Sequence, residues 1–124
     1  MRWYTTNYNT IDKIRNSNDL VISISRILYE SIKNKVDIQD VRLAPSLSLF
    51  GIERGEFIDK FKKYMNDVDI EDIIEKYESQ TNGRIFLLCY EEPGDFCHRH
   101  IVADYIRSYR QIQEYDINQA LDDF

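Results

Sequence analysis

The chain has 124 residues, the length of one domain, and its 16 Lys and Arg against 22 Asp and Glu leave a net charge of −6. That balance argues against nonspecific duplex DNA binding, which needs clustered cations to displace counterions. With 43% hydrophobic and 31% charged residues, the composition is that of a folded globular protein, and two cysteines are too few for a disulfide framework.

The first residues, Met1, Arg2, Trp3 and Tyr4 onward, lack the apolar core of a secretory signal. No apolar run approaches the ~18 residues of a membrane span. A cytoplasmic setting without membrane association is therefore expected.

Residues 3–6 are expected to form a short first strand. Thr10 is placed to cap a short helix carrying Ile11 and Ile14. The β-branched run over residues 20–25 predicts a buried strand. A brief helix should follow, with Leu28 and Ile32 turned inward. Residues 41–44 predict a short strand stopped by Pro45. Residues 53–66 carry Phe57, Phe61, Tyr64 and Met65 at helical spacing, and residues 69–79 carry Ile70, Ile73, Ile74 and Tyr77 likewise. The continuous apolar run over residues 84–90 predicts a central parallel strand covered on both faces. A turn over residues 91–94 then leads into a helix over residues 97–110, for which Asp95 is a suitable N-cap. Residues 111–124 are expected to be an acidic extension with one helical turn around residues 117–121, outside a domain of residues 1–110.

Strands alternating with helices imply a small α/β domain with a mostly parallel sheet and flanking helices. Such sheets bind ligands beyond the carboxyl ends of their strands. The charge supports a local site: residues 1–52 and 97–110 are each +2, while residues 53–79 and 111–124 are each −4.

The stretch over residues 89–100 runs from the best strand into a helix start. Free N–H groups and the helix dipole favour an anion there and draw a thiol toward thiolate. Cys97, followed by His98 and Arg99, is placed at about the second helical position. One reading makes Cys97 a nucleophile, with His98 or His100 as base and Glu91 as orienter. The plain alternative is a buried cysteine packing in line with Ile101 and Tyr105. A zinc ion on Cys89, Cys97 and His98 or His100 has suitable donors. The spacing C-x7-C with H-x-H matches none of the common zinc patterns, so no cofactor or metal is expected. A Cys89–Cys97 disulfide would cross the loop, but a reducing compartment disfavours it. A cysteine phosphatase loop is excluded because the residue six after Cys89 is Asp95.

Arg26 and Arg42 sit at the expected carboxyl ends of their strands, and Ser25 and Ser46 beside them offer hydroxyls. With Arg99 they are expected to converge on an anionic ligand. Ordinary surface salt bridges are the alternative for Arg26 and Arg42.

The pattern Cys89-x-Glu91 followed by Cys97, His98 and Arg99 at a helix start resembles the signature of the domain of unknown function 488 family. Residues 22–26 and 43–46 resemble the branch of that family found in bacteria and phages, and the richness in Ile, Lys, Asn, Asp and Tyr fits an AT-rich genome. The resemblance spans residues 3–110. It implies a Rossmann-like sheet and a common site lined by Cys89, Glu91, Cys97, His98 and Arg99, but no particular reaction. This chain departs from that branch after Arg26, where Ile27, Leu28 and Tyr29 replace a nearby proline.

Three functions are weighed. The first is a binding module for an anionic, nucleotide-like small molecule, such as a phage protein that sequesters a signalling nucleotide. The second is an enzyme using Cys97, His98 and Glu91 on a nucleotide or nucleic-acid component. The third is an interaction or inhibitor protein whose acidic faces dock on a basic partner. Self-association into a homo-oligomer is compatible with each.

Overall fold

The structure is a computed structural model that describes residues 2–14, 16–91 and 96–115. Five strands form one sheet: β1 (Trp3–Asn7), β2 (Leu20–Ser23), β3 (Ile38–Gln39), β4 (Ile85–Cys89) and β5 (Ile112–Glu114). Their order is β3-β2-β4-β1-β5, and every pairing is parallel. The five helices are α1 (Tyr8–Ile14), α2 (Glu30–Lys33), α3 (Arg54–Met65), α4 (Ile70–Glu78) and α5 (His98–Arg107).

Side chains alternate across a strand, so a two-sided sheet needs apolar residues at every position of its central strands. β4 meets this demand, and all five of its residues are buried. Ile85, Leu87 and Cys89 face one core with Ile22 and Ile24, under Phe61 and Met65 of α3, Ile73, Ile74 and Tyr77 of α4 and Val102 and Ile106 of α5. Phe86 and Leu88 face the second core with Val21, beside Tyr8 and Ile11 of α1. Leu28 and Ile32 pack against this second core, as their spacing predicts. The result is a small three-layer α/β domain, in agreement with the expected class.

The starts of α3 and α4 are capped by acidic side chains. Glu53 accepts from the N–H groups of Gly55 and Glu56 at the head of α3, and Asp69 accepts from that of Asp72 at the head of α4. No helix among the described residues is long and apolar enough to cross a membrane.

Four local expectations change. Thr10 lies inside α1, not at its cap; the helix begins at Tyr8, directly after β1. The strand expected over residues 41–44 is a 3-10 turn, Val41–Leu43, because the Asp40 side chain caps it by accepting from the Arg42 N–H; the strand lies just before it, as β3. Cys97, not Asp95, is the N-cap of α5, its sulfur accepting from the Arg99 N–H at 3.5 Å. Asp95 and the turn at 92–94 lie outside the described residues. Finally, Ile112–Glu114, expected in an acidic extension, adds the edge strand β5 beside β1. Residues 117–121 lie outside the described residues.

β5 is locked in place from below. The Arg99 side chain of α5 is completely buried, and its Nη2 lies 2.7 Å from Oε1 of Glu114 on β5. Removing one partner of a buried ion pair strands the other charge in a low-dielectric interior, at a typical cost of ~3–5 kcal/mol. Glu114 retains some exposure, so Glu114→Ala is expected to lower the unfolding free energy by about 2–3 kcal/mol in urea denaturation. A loss below about 1 kcal/mol would show that the pair is not a structural tie.

Candidate functional site

β2 and β4 end beside one another, and α5 begins where the chain returns after β4. A cavity of about 470 Å³ opens at this point, within the size range of small-molecule sites. Cys89, Cys97 and His98 line it, together with Ser25, Arg26 and Glu91. Its walls are mostly apolar or aromatic, including Ile27, Tyr29, Phe50, Phe57, Tyr90 and Phe96. Ile27, Tyr29 and Phe50 are about half or more exposed, so they form a rim rather than a core.

The rim is held by specific bonds. The Tyr90 hydroxyl donates to the Ile27 carbonyl at 2.9 Å and accepts from the Tyr29 N–H at 3.0 Å, which pins the loop after β2. The opposite lip turns at Gly51, whose φ of +83° suits a residue without a Cβ. Phe57 and Phe96 meet edge to face at 5.6 Å, and the Arg54 guanidinium lies over the Phe96 ring at 5.0 Å.

The two cysteines are joined by a disulfide. The expectation that a bridge is disfavoured rested on an assumed reducing compartment; the fold nevertheless brings the end of β4 and the cap of α5 together. His98 is also buried. Its Nε2 lies 2.6 Å from the Ile24 carbonyl oxygen, which can only accept, so Nε2 carries the proton. Its Nδ1 lone pair then faces Cys97 Sγ at 3.7 Å. Burial pushes the imidazole from its ordinary 6.5 down to about 4, assisted by the neighbouring Arg99 and His100. The ring is therefore neutral at pH 7. Ile24, not Glu91, orients it.

The three arginines expected to converge do not. Arg26 lines the cavity, while Nε and Nη2 donate to the carbonyls of Pro45, Val41 and Ala44. Arg42 is turned away and forms a two-point pair with Asp40, at 3.0 and 2.8 Å. It borders a separate cleft with Asp67, Asp69 and Asp72, the wrong sign for an anion. The 3-10 turn that replaces the expected strand redirects it. Arg99 is turned inward: Nε and Nη2 bond Glu114, while Nη1 donates to Cys89 Sγ at 3.0 Å and to the Glu91 carbonyl at 2.8 Å. It supports the site from behind and is not among the groups lining the cavity.

Among the remaining expected residues, Ser25 lines the cavity and its hydroxyl accepts from Tyr8 at 2.8 Å. Ser46 is exposed, outside the lining, and bonded to Ser48. His100 is half-buried on α5, also outside the lining, and its N–H donates to the Cys97 carbonyl. Arg54 and the aromatic walls were not singled out in the sequence. Arg54 was legible in principle, since it opens the amphipathic segment that becomes α3. Neither Arg26 nor Arg54 forms an ion pair among the described residues.

A family model described as the active DUF488-N3 subclade (DUF488-N3a) matches residues 4–110. No curated protein and no solved structure matches the chain.

The depressed His98 value predicts a pH effect. The unfolded chain takes up a proton near pH 6.5 and the folded chain only near pH 4. The neutral, buried ring therefore contributes stability above 6.5 that is lost as pH falls toward 4. Urea unfolding at pH 7 and 4.5 should show a decline about 2–3 kcal/mol larger for the parent protein than for His98→Gln, at ~1.4 kcal/mol per unit of pKa shift. Equal declines would mean that His98 is not held neutral.

Proposed function

This chain belongs to the DUF488 family, and from that premise and the geometry of the cavity we propose that it binds an anionic, nucleotide-like small molecule. One observation carries the reading: two arginines that form no ion pair among the described residues, Arg26 and Arg54, share a cavity with an aromatic rim. A nucleotide has two parts with opposite demands. Its base presents a flat face that stacks on Tyr, Phe or an arginine plane, and its phosphate calls for guanidinium donors. Tyr29, Tyr90 and Phe50 supply the first kind of surface, and Arg26 and Arg54 the second. Arg26 also braces the loop through residues 41–45, so its charge is held near the cavity at little further entropic cost on binding.

A second reading is an enzyme acting on the same class of molecule. It is favoured by the placement of Cys89, Cys97 and His98 on the lining of that one cavity, and the matched subclade is described as active. In this reading the ligand's reacting atom meets the sulfur end while its anionic part meets the arginines.

A thermal-shift screen of mono- and dinucleotides tests the first reading. At a 100-fold excess over Kd, binding to the folded state is expected to add about 2.7 kcal/mol, a rise of roughly 10 °C for a domain of this size. Arg54→Ala should weaken the best ligand about 10- to 100-fold, the value of a charge-assisted hydrogen bond. The reading fails if no nucleotide raises the midpoint, or if Arg54→Ala leaves the affinity unchanged. Mass analysis of the recovered nucleotide separates the two readings: an unaltered ligand supports binding alone, and a converted one supports the enzyme.

A further inference from the structure

We propose that, in the reduced protein, Cys89 Sγ, Cys97 Sγ and His98 Nδ1 hold one zinc ion at the floor of the cavity. Its fourth coordination position opens toward the bound small molecule. The proposal stands on the sulfurs and the imidazole and is independent of which anion fills the cavity.

The donor atoms are already gathered. One ligand atom from each of Cys89, Cys97 and His98 lies within 4.8 Å of the other two. Tetrahedral zinc with Zn–S near ~2.3 Å and Zn–N near ~2.05 Å sets a sulfur-to-nitrogen separation of roughly 3.6 Å. The Nδ1 of His98 lies 3.7 Å from Cys97 Sγ. The same geometry sets two thiolate sulfurs roughly 3.8 Å apart. The backbone allows that opening, because the Cα atoms of Cys89 and Cys97 are 7.4 Å apart, beyond the usual disulfide span of ~4.4–6.8 Å.

The surroundings suit a metal as well as the distances do. A ligating histidine commonly donates its second ring N–H to a backbone carbonyl, which fixes the tautomer. His98 does this through Nε2 to Ile24, and its remaining lone pair is on the sulfur side. The Arg99 guanidinium donates to Cys89 Sγ, and its backbone N–H donates to Cys97 Sγ. Both bonds favour thiolates once the disulfide is opened. The charges also close: two thiolates offset the zinc ion, and Glu114 offsets Arg99. The spacing C-x7-C-H fits no common zinc motif because the ligands come from a strand end and a helix start, not from one knuckle. Since all three residues line the cavity, the remaining position faces a ligand or water. That is the arrangement of a three-ligand zinc site with an open position.

Loading requires reduction. A trialkylphosphine and one water convert the disulfide into two thiols and the phosphine oxide. The zinc ion then displaces both thiol protons to solvent.

The test uses the full chain, reduced with a trialkylphosphine, incubated with zinc and freed of excess metal by gel filtration. One zinc per chain is expected by elemental analysis, and almost none for the oxidised protein, Cys89→Ser or Cys97→Ser. Cys97→Ser keeps a good helix N-cap, so its folding, checked by circular dichroism, gives a sound comparison. Cobalt in place of zinc should produce thiolate-to-metal charge transfer and a tetrahedral visible spectrum. The proposal is overturned if the reduced, folded protein retains no zinc, if Cys97→Ser retains as much as the parent, or if bound cobalt lacks the thiolate band.

Discussion

A guanidinium sealed inside a protein of this size is costly unless every face of it is answered. Arg99 is such a group, and its partners explain how the sheet and the cavity are joined. Two of its nitrogens bind Glu114 on the edge strand, and the third bonds the sulfur that ends β4 and the carbonyl of Glu91 just beyond it. One side chain therefore ties the head of α5, the end of β4 and β5. With α5 fixed in this way, Cys97 at its cap and His98 in its first turn come to lie beside Cys89 and beneath the carbonyl of Ile24.

The cavity follows from that anchoring. Parallel strands place their carboxyl ends at one side of the sheet, and the loops that leave β2 and β4 form the walls. What fills those loops is aromatic, and Tyr90 bonds across to the loop of Ile27 and Tyr29. The net charge of −6 resides elsewhere. Acidic residues border the cleft beside Arg42 and the cleft beside Asp19 and Asp37. The cavity instead carries Arg26 and Arg54 against one carboxylate, Glu91, among the described residues. Among the described residues, Arg2, Arg42, Arg84, Arg99, Arg107 and Arg110 are each within an ion pair with a carboxylate.

Much of this was legible in the sequence. The apolar run of β4, the Ile and Phe stripes of α3 and α4, and the cluster of Cys89, Cys97 and His98 all have strong local signals. A two-sided strand and an amphipathic helix each leave a periodic trace, and a Cys-His-Arg triplet at a strand-to-helix turn is distinctive. The arginines were harder to place. Arg42 and Arg99 carry the same charge as Arg26, and only tertiary partners distinguish a ligand group from a buried strut. Asp40 lies two residues from Arg42 and was visible as a neighbour, but its cap on the 3-10 turn was not. Glu114 is fifteen residues from Arg99 and sits in an acidic run; no local pattern marks it as a buried partner. Arg54 and Phe96 meet only when α3 and α5 pack together.

The central claim is that one cavity unites Arg26, Arg54, the aromatic rim and the sulfur–imidazole cluster into a single ligand site. Backbone amide chemical-shift mapping on isotope-labelled protein during titration with a mononucleotide tests it most directly. The account predicts saturable shifts confined to residues 25–29, 49–57, 89–91 and 96–98. Shifts centred on the cleft of Arg42, Asp67 and Asp72, or no shifts at saturating ligand, would contradict it.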